Sequence, residues 1–98
     1  MIKVKVQSNR IEVSGHAMFA DYGQDIVCAA ASSIVITTVN GILSIDSKAL
    51  SYEKTNDGLV INVLKDSLNV KKLISNMISL LKELSMQYKD NIQIYEEV

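Results

Sequence analysis

Cysteine occurs once in the 98-residue chain, at Cys28. One thiol cannot close an intramolecular disulfide or build a Cys-x-x-Cys metal or redox motif. A reducing compartment is therefore the default. Histidine also occurs once, at His16, and proline not at all. Neither sign of charge is in real excess. Ten basic and 11 acidic side chains leave a formal net charge of -1, which gives no electrostatic footprint for nucleic acid. The amino-terminal stretch MIKVKVQSNR lacks the long apolar centre and small-residue cleavage site of a secretory signal. The longest apolar-rich stretch, Ile26 to Ile45, is interrupted by Ser32, Ser33, Thr37, Thr38, Asn40 and Ser44. That suits a buried helix better than a membrane span. Low-complexity tracts and internal repeats are missing too.

What is present supports a packed core. Hydrophobic residues make up 48% of the chain, too many for wholesale disorder. The length suits a single domain covering residues 1–98. A chain this short buries a modest fraction of its surface, so dimerisation is a natural aid to stability.

Ile2, Val4 and Val6 alternate with Lys3, Lys5 and Gln7, the period of a half-buried strand. Ser8-Asn9 supplies a turn, and Ile11 and Val13 then alternate with Glu12 and Ser14. Residues 2–17 thus read as a hairpin with His16 at the far end of its second strand. Residues 18–24 read as a loop. Asp25 offers an N-cap oxygen, and from Ile26 the chain is apolar on nearly all sides. Length selects helix over strand there. Covered on both sides, this helix would be the core element. Two further strands, ALSYEKT and LVINVLK, flank Asn56-Asp57-Gly58, a hairpin signal in which glycine accepts a positive φ. Asn69 is placed to cap a second helix. Its apolar positions Val70, Leu73, Ile74, Met77, Leu81, Leu84 and Tyr88 recur at helical spacing. NIQIYEEV closes as a short strand. The order ββαββαβ implies an α+β domain, a mostly antiparallel sheet packed with two helices.

The chemistry concentrates between Gly15 and Cys28. With Asp25 as cap, Cys28 is the third residue of the first turn. Unpaired N–H groups and the positive end of the helix dipole then adjoin its sulfur and favour thiolate over thiol. His16 ends a strand that can lie alongside this helix start. The two would form a nucleophile and a general base. The same N–H groups can receive the oxyanion of an acyl-transfer intermediate. Gly15 and Gly23 allow close backbone approach or loop movement. Asp25 would orient His16, and Ser32 lies one turn after Cys28 on the same face.

Plainer readings compete. A lone cysteine on an apolar helix is commonly a packed thiol, and a lone histidine at a strand end is commonly structural. Asp25 can be a cap alone. Ser32 can simply bond the carbonyl four residues back. His16, Asp25 and Cys28 fall one ligand short of a closed tetrahedral metal site, so no metal and no cofactor are expected. A thiol-based redox sensor would use Cys28 without His16.

GHA, followed after a short loop by YGQDIVCAAAS, resembles the signature of the ribosomal-processing cysteine protease family (Prp). The likeness rests on His16, Gly23, Asp25, Cys28 and Ser32, and the order of elements fits along the whole chain. It implies a cytoplasmic bacterial endopeptidase, typical of Firmicutes and their relatives. Such an enzyme removes the N-terminal extension of the large-subunit ribosomal protein numbered twenty-seven. By position Cys28 becomes the nucleophile and His16 the base, with Asp25 and Ser32 as supporting residues. The family implies a homodimer and a moving substrate loop, here Met18, Phe19, Ala20, Asp21, Tyr22, Gly23 and Gln24. The partner is then a ribosomal protein precursor, with no direct nucleic acid and no membrane. Met18 and Phe19 depart from the more polar pattern. They would contact an aromatic substrate residue before the cut, or change which substrate fits. The substrate extension would bind extended, against a strand edge or groove. The alternative is a non-catalytic ribosome-assembly or protein-binding module of the same fold.

Overall fold

The computed structural model describes residues 1–15 and 26–97. The alternating amino-terminal segments form β1 (Ile2–Val6) and β2 (Arg10–Ser14), and the long apolar run forms α1 (Ile26–Ile45). After these come β3 (Leu50–Thr55), β4 (Gly58–Val63), α2 (Leu68–Gln87) and β5 (Ile92–Glu96). The order ββαββαβ is the one expected. The strands make one five-stranded sheet in the order β3-β4-β2-β1-β5. Three of its pairings are antiparallel, while β1 and β5 run parallel.

Alternation decides which face is covered. Ile2, Val4, Ile11, Val13, Leu59, Ile61 and Ile92 are buried and pair across the sheet in register. Lys3, Lys5, Ser51, Glu53 and Gln93 point to the other face and are exposed. Both helices therefore pack on one face, the two-layer solution for a sheet apolar on one side. Val27, Cys28, Ala31, Val35, Val39 and Ile42 line the buried side of α1 from end to end, and Val70, Met77 and Leu81 that of α2.

α1 is the core element, but it is covered on one side and not on both. Ile26 is 67% exposed, Ile36 46% and Ile45 68%. Among the described residues there are only two layers, and nothing lies above the helices. By length and composition α1 could cross a membrane, yet its inner face belongs to the shared core.

The links fix the directions. Leu50 pairs with Val63, and Asn62 with Arg10, so β3 starts at the end of the sheet where β2 starts. Residues 46–49 join α1 to β3, so the carboxyl end of α1 lies at that end as well. Twenty residues at about 1.5 Å each span about 30 Å, longer than any strand here. The first turn of α1 therefore lies at the opposite end, where β2 finishes at Ser14 and pairs with Gly58. α2 starts beyond β4 and ends beside the start of β5, antiparallel to α1. Asp46, just after α1, binds Lys65, just after β4, at 2.7 Å. This bond, together with the backbone N–H of Lys48, holds the Asp46 carboxyl below its ordinary value. The contribution is present above the ordinary carboxylate range and is lost as pH falls through the lowered value.

Two local expectations change. Ser67, not Asn69, caps α2, and its side chain accepts from the Val70 N–H at 3.3 Å. Asn69 lies inside the helix. The β3–β4 turn consists of Asn56 and Asp57 alone, because Gly58 already pairs with Thr55. Gly58 does not supply a positive φ; it makes room. A Cβ there would stand 1.7 Å from the Val13 carbonyl oxygen of the neighbouring strand. Gly15 is constrained in both ways, with φ of 94° and a would-be Cβ 2.1 Å from the Met1 carbonyl oxygen.

Two glycine substitutions should therefore move stability in opposite directions. Gly58→Ala should lower the urea midpoint, costing about 3 kcal/mol or more. Gly41 has open space around its would-be Cβ. Gly41→Ala should raise the midpoint, stabilising by roughly 1 kcal/mol through helix propensity.

Candidate active site

The site is built around the start of α1. Cys28 is the third residue of that helix, the position the sequence predicts. A helical Cα–Cβ bond tilts toward the amino end, which aims the side chain at the turn where N–H groups lack helical acceptors. The residue is 3% exposed and belongs to the core cluster with Val27 and Ala31. Ser32 follows one turn later and is half-buried. Ile26 and Ala29, on the outer side of the same turns, are exposed.

β2 approaches this end from the sheet. Its last residue, Ser14, pairs with Lys3 of β1 and Gly58 of β4. Gly15 then passes so close to Met1 that only a glycine fits. β2 thus finishes at the end of the sheet that holds the start of α1. His16, Asp25 and the loop residues Met18, Phe19, Ala20, Asp21, Tyr22, Gly23 and Gln24 lie outside the described residues. Of the expected site residues, the structure places Cys28 and Ser32 on adjacent turns of α1. Among the described residues no three His, Cys, Asp or Glu side chains gather as a metal site.

The same end holds features that the sequence reading did not single out. The Asn56-Asp57 turn closes the β3–β4 hairpin there, and both residues are exposed. No periodicity assigns them to the same end as Cys28, since that follows from the direction of α1. A cavity of about 300 Å³ lies at the opposite end, between the Ser8-Asn9 turn and α2. Three lysines line it, Lys65, Lys71 and Lys82. Each is paired with a carboxylate, from Asp46, Asp66 and Glu96 respectively.

The same architecture occurs in solved structures. The ribosomal processing protease Prp from S. aureus, in complex with a covalently linked product peptide, superposes with a TM-score of 0.83 at 22% identity, covering 98% of this chain and 97% of that one. SMU.848 from Streptococcus mutans superposes with a TM-score of 0.77 at 20% identity, covering 97% of this chain and 90% of that one. That likeness shows the fold; the class, cysteine protease, comes from the family to which the sequence is matched. The family model described as cysteine protease Prp matches residues 1–93, and the chain belongs to that family. The ribosomal processing cysteine protease Prp of Mycoplasma genitalium is 32% identical over 97 residues, covering 99% of this chain and 97% of that protein. Its namesake in Bacillus subtilis is 31% identical over 90 residues, covering 85% and 80%.

Alkylation of Cys28 by iodoacetamide, followed by mass spectrometry across pH, tests the site. If His16 lies beside the helix-end thiol, reactivity should persist well below the ordinary thiol range of about 8.5. Replacement of His16 by Ala should reduce that reactivity. Reaction confined to alkaline pH would mark a packed thiol.

Proposed function

We propose that the chain is a ribosomal-processing endopeptidase in which Cys28 is the nucleophile and His16 the general base. The observation that carries this reading is the seat of Cys28 in the first turn of α1, at the sheet end toward which β2 leads. The substrate is the precursor of the large-subunit ribosomal protein numbered twenty-seven, and the product is that protein without its N-terminal extension. The names of the relatives, which process ribosomal proteins, support the substrate class.

The chemistry is acyl transfer. The Cys28 thiolate attacks the scissile carbonyl carbon and forms a C–S bond. The oxyanion is held by N–H groups at the start of the helix. The C–N bond breaks as His16 hands its proton to the leaving amine. His16 then takes a proton from water, the hydroxide attacks the thioester, and the C–S bond breaks to regenerate the thiolate. Asp25 orients the imidazole, and Ser32 donates to the substrate backbone. The loop 18–24 closes over the peptide, with Met18 and Phe19 against an apolar substrate side chain. The enzyme works as a cytoplasmic homodimer, a state supported by the apolar residues that α1 leaves uncovered.

One observation favours a second reading. Cys28 is 3% exposed, as a packed core thiol would be. A non-catalytic module of the same fold would bind its ribosomal protein without cutting it.

Mass spectrometry of the precursor incubated with each variant separates the two. The protease reading expects one cut at the extension junction by wild type. Loss should be about a thousandfold or more in Cys28→Ala and in His16→Ala, with the far-ultraviolet spectrum retained. A binding module leaves the precursor whole in every case, and Cys28→Ala still binds it.

A further inference from the structure

β3 is an outer strand of the sheet, and the hydrogen bonds around it show which of its backbone groups face away. The Val63 N–H donates to the Asn9 carbonyl on the β2 side at 2.8 Å, and the Leu64 N–H donates to the Ala49 carbonyl at 2.8 Å. In an antiparallel ladder, bonded and non-bonded pairs alternate. With Leu50 opposite Val63 and Thr55 opposite Gly58, the backbone groups of Ser51, Glu53 and Thr55 face β4. Those of Leu50, Tyr52 and Lys54 face outward. The edge thus offers N–H and C=O pairs at every second residue, about 7 Å apart.

The space beside this edge is open on the helix side. Tyr52 and Lys54 share the covered face of the sheet with their partners Ile61 and Leu59. Ile61 is 0% and Leu59 4% exposed, yet Tyr52 is 48% exposed, and Lys54 is exposed as well. Leu50, at the start of β3, is 3% exposed, so the covered face opens from Tyr52 onward and leaves a shelf whose floor is Tyr52 and Lys54. β3 runs toward Thr55, and so toward the end where α1 starts with Cys28. The other outer strand, β5, is flanked by α2, which also packs against α1 and stands on the far side of it from β3.

We propose that the outer edge of β3 receives the substrate as an added strand: an extended peptide flanking the scissile bond, paired to the backbone of Tyr52 and Lys54 and led along the shelf to Cys28. The inference rests on the proposed proteolysis and adds to it the surface that aligns the substrate. Backbone pairing supplies affinity with little demand on sequence. Discrimination then falls to the side chains that alternate over Tyr52 and Lys54. An open edge also invites self-association, which Glu53 and Lys54 discourage by charge.

The test uses Tyr52→Pro. Proline removes an N–H that points outward, so the β3–β4 ladder keeps its bonds. Kinetics on a peptide spanning the extension junction should show KM raised about tenfold or more, with kcat changed much less. Iodoacetamide labelling of Cys28 checks that the site is intact. Lys54→Pro should act the same way. If either variant fails to fold, N-methylated peptides carry the test against wild type. Methylation at alternate residues should raise KM, and methylation at the residues between should not. An unchanged KM in folded Tyr52→Pro and Lys54→Pro overturns the inference alone, as does the absence of any alternation in the N-methyl series. A change in sedimentation with KM unchanged assigns the edge to a second copy of the chain and also overturns it. Absence of cutting by wild type overturns the proposed function, and this inference with it.

Discussion

Burial of one side of α1 against the sheet is the constraint from which the rest follows. Six residues spread along its length, from Val27 to Ile42, are buried on the core side. Each such side chain contributes roughly 1.5–3 kcal/mol when fully withdrawn from water, alanine and cysteine less. The helix cannot slide or turn without exposing part of this stripe. That rigidity fixes where the first turn ends, and so where the Cys28 sulfur sits. A nucleophile on a helix start gains N–H donors that need no reorganisation as charge develops. Here the position is held by core packing rather than by a loop.

The same packing makes the two ends of the domain unequal. One end holds the Ser8-Asn9 turn, the α1–β3 link and lysines paired with carboxylates. The other gathers the start of α1, the end of β2 and the β3–β4 turn. Two glycines are required at this second end for lack of space. Gly15 clears Met1, and Gly58 clears Val13. The backbones at the rim of the site are therefore packed close, and the path of the chain into His16 is constrained. Tyr52 and Lys54 of β3 are left exposed on the covered face, and β3 runs to the same end.

Much of this architecture was legible in the residues. Period-two alternation located β1 and β2, the Asp57-Gly58 pair between two further runs located β3 and β4, and the long apolar-rich run located α1. Asp25 before that run placed Cys28 in the first turn. The errors are instructive. Asp66, Ser67 and Asn69 are all capping types within four residues, and propensity does not choose among them. Ser67 caps because burial of Val70, Met77 and Leu81 sets the phase of the helix. Gly58 marked the hairpin correctly, but for the wrong reason, since the clash with Val13 arises from a strand distant in sequence. Tyr52 falls on the covered face by alternation yet is exposed, because its strand is the outer one, which no local pattern encodes. His16 and Asp25 were singled out by residue type and by the family resemblance, and they lie outside the described residues.

The central claim is that the sulfur of Cys28 and the imidazole of His16 are neighbours at the start of α1. Because the chain has one histidine, a proton NMR titration of its ring reads that claim directly. If the thiolate is next to it, the ring should hold its proton above the ordinary histidine range of about 6.5, and removing the thiol in Cys28→Ala should bring it back down. A ring that titrates in the ordinary range in both proteins, with no response to the thiol, would contradict the account.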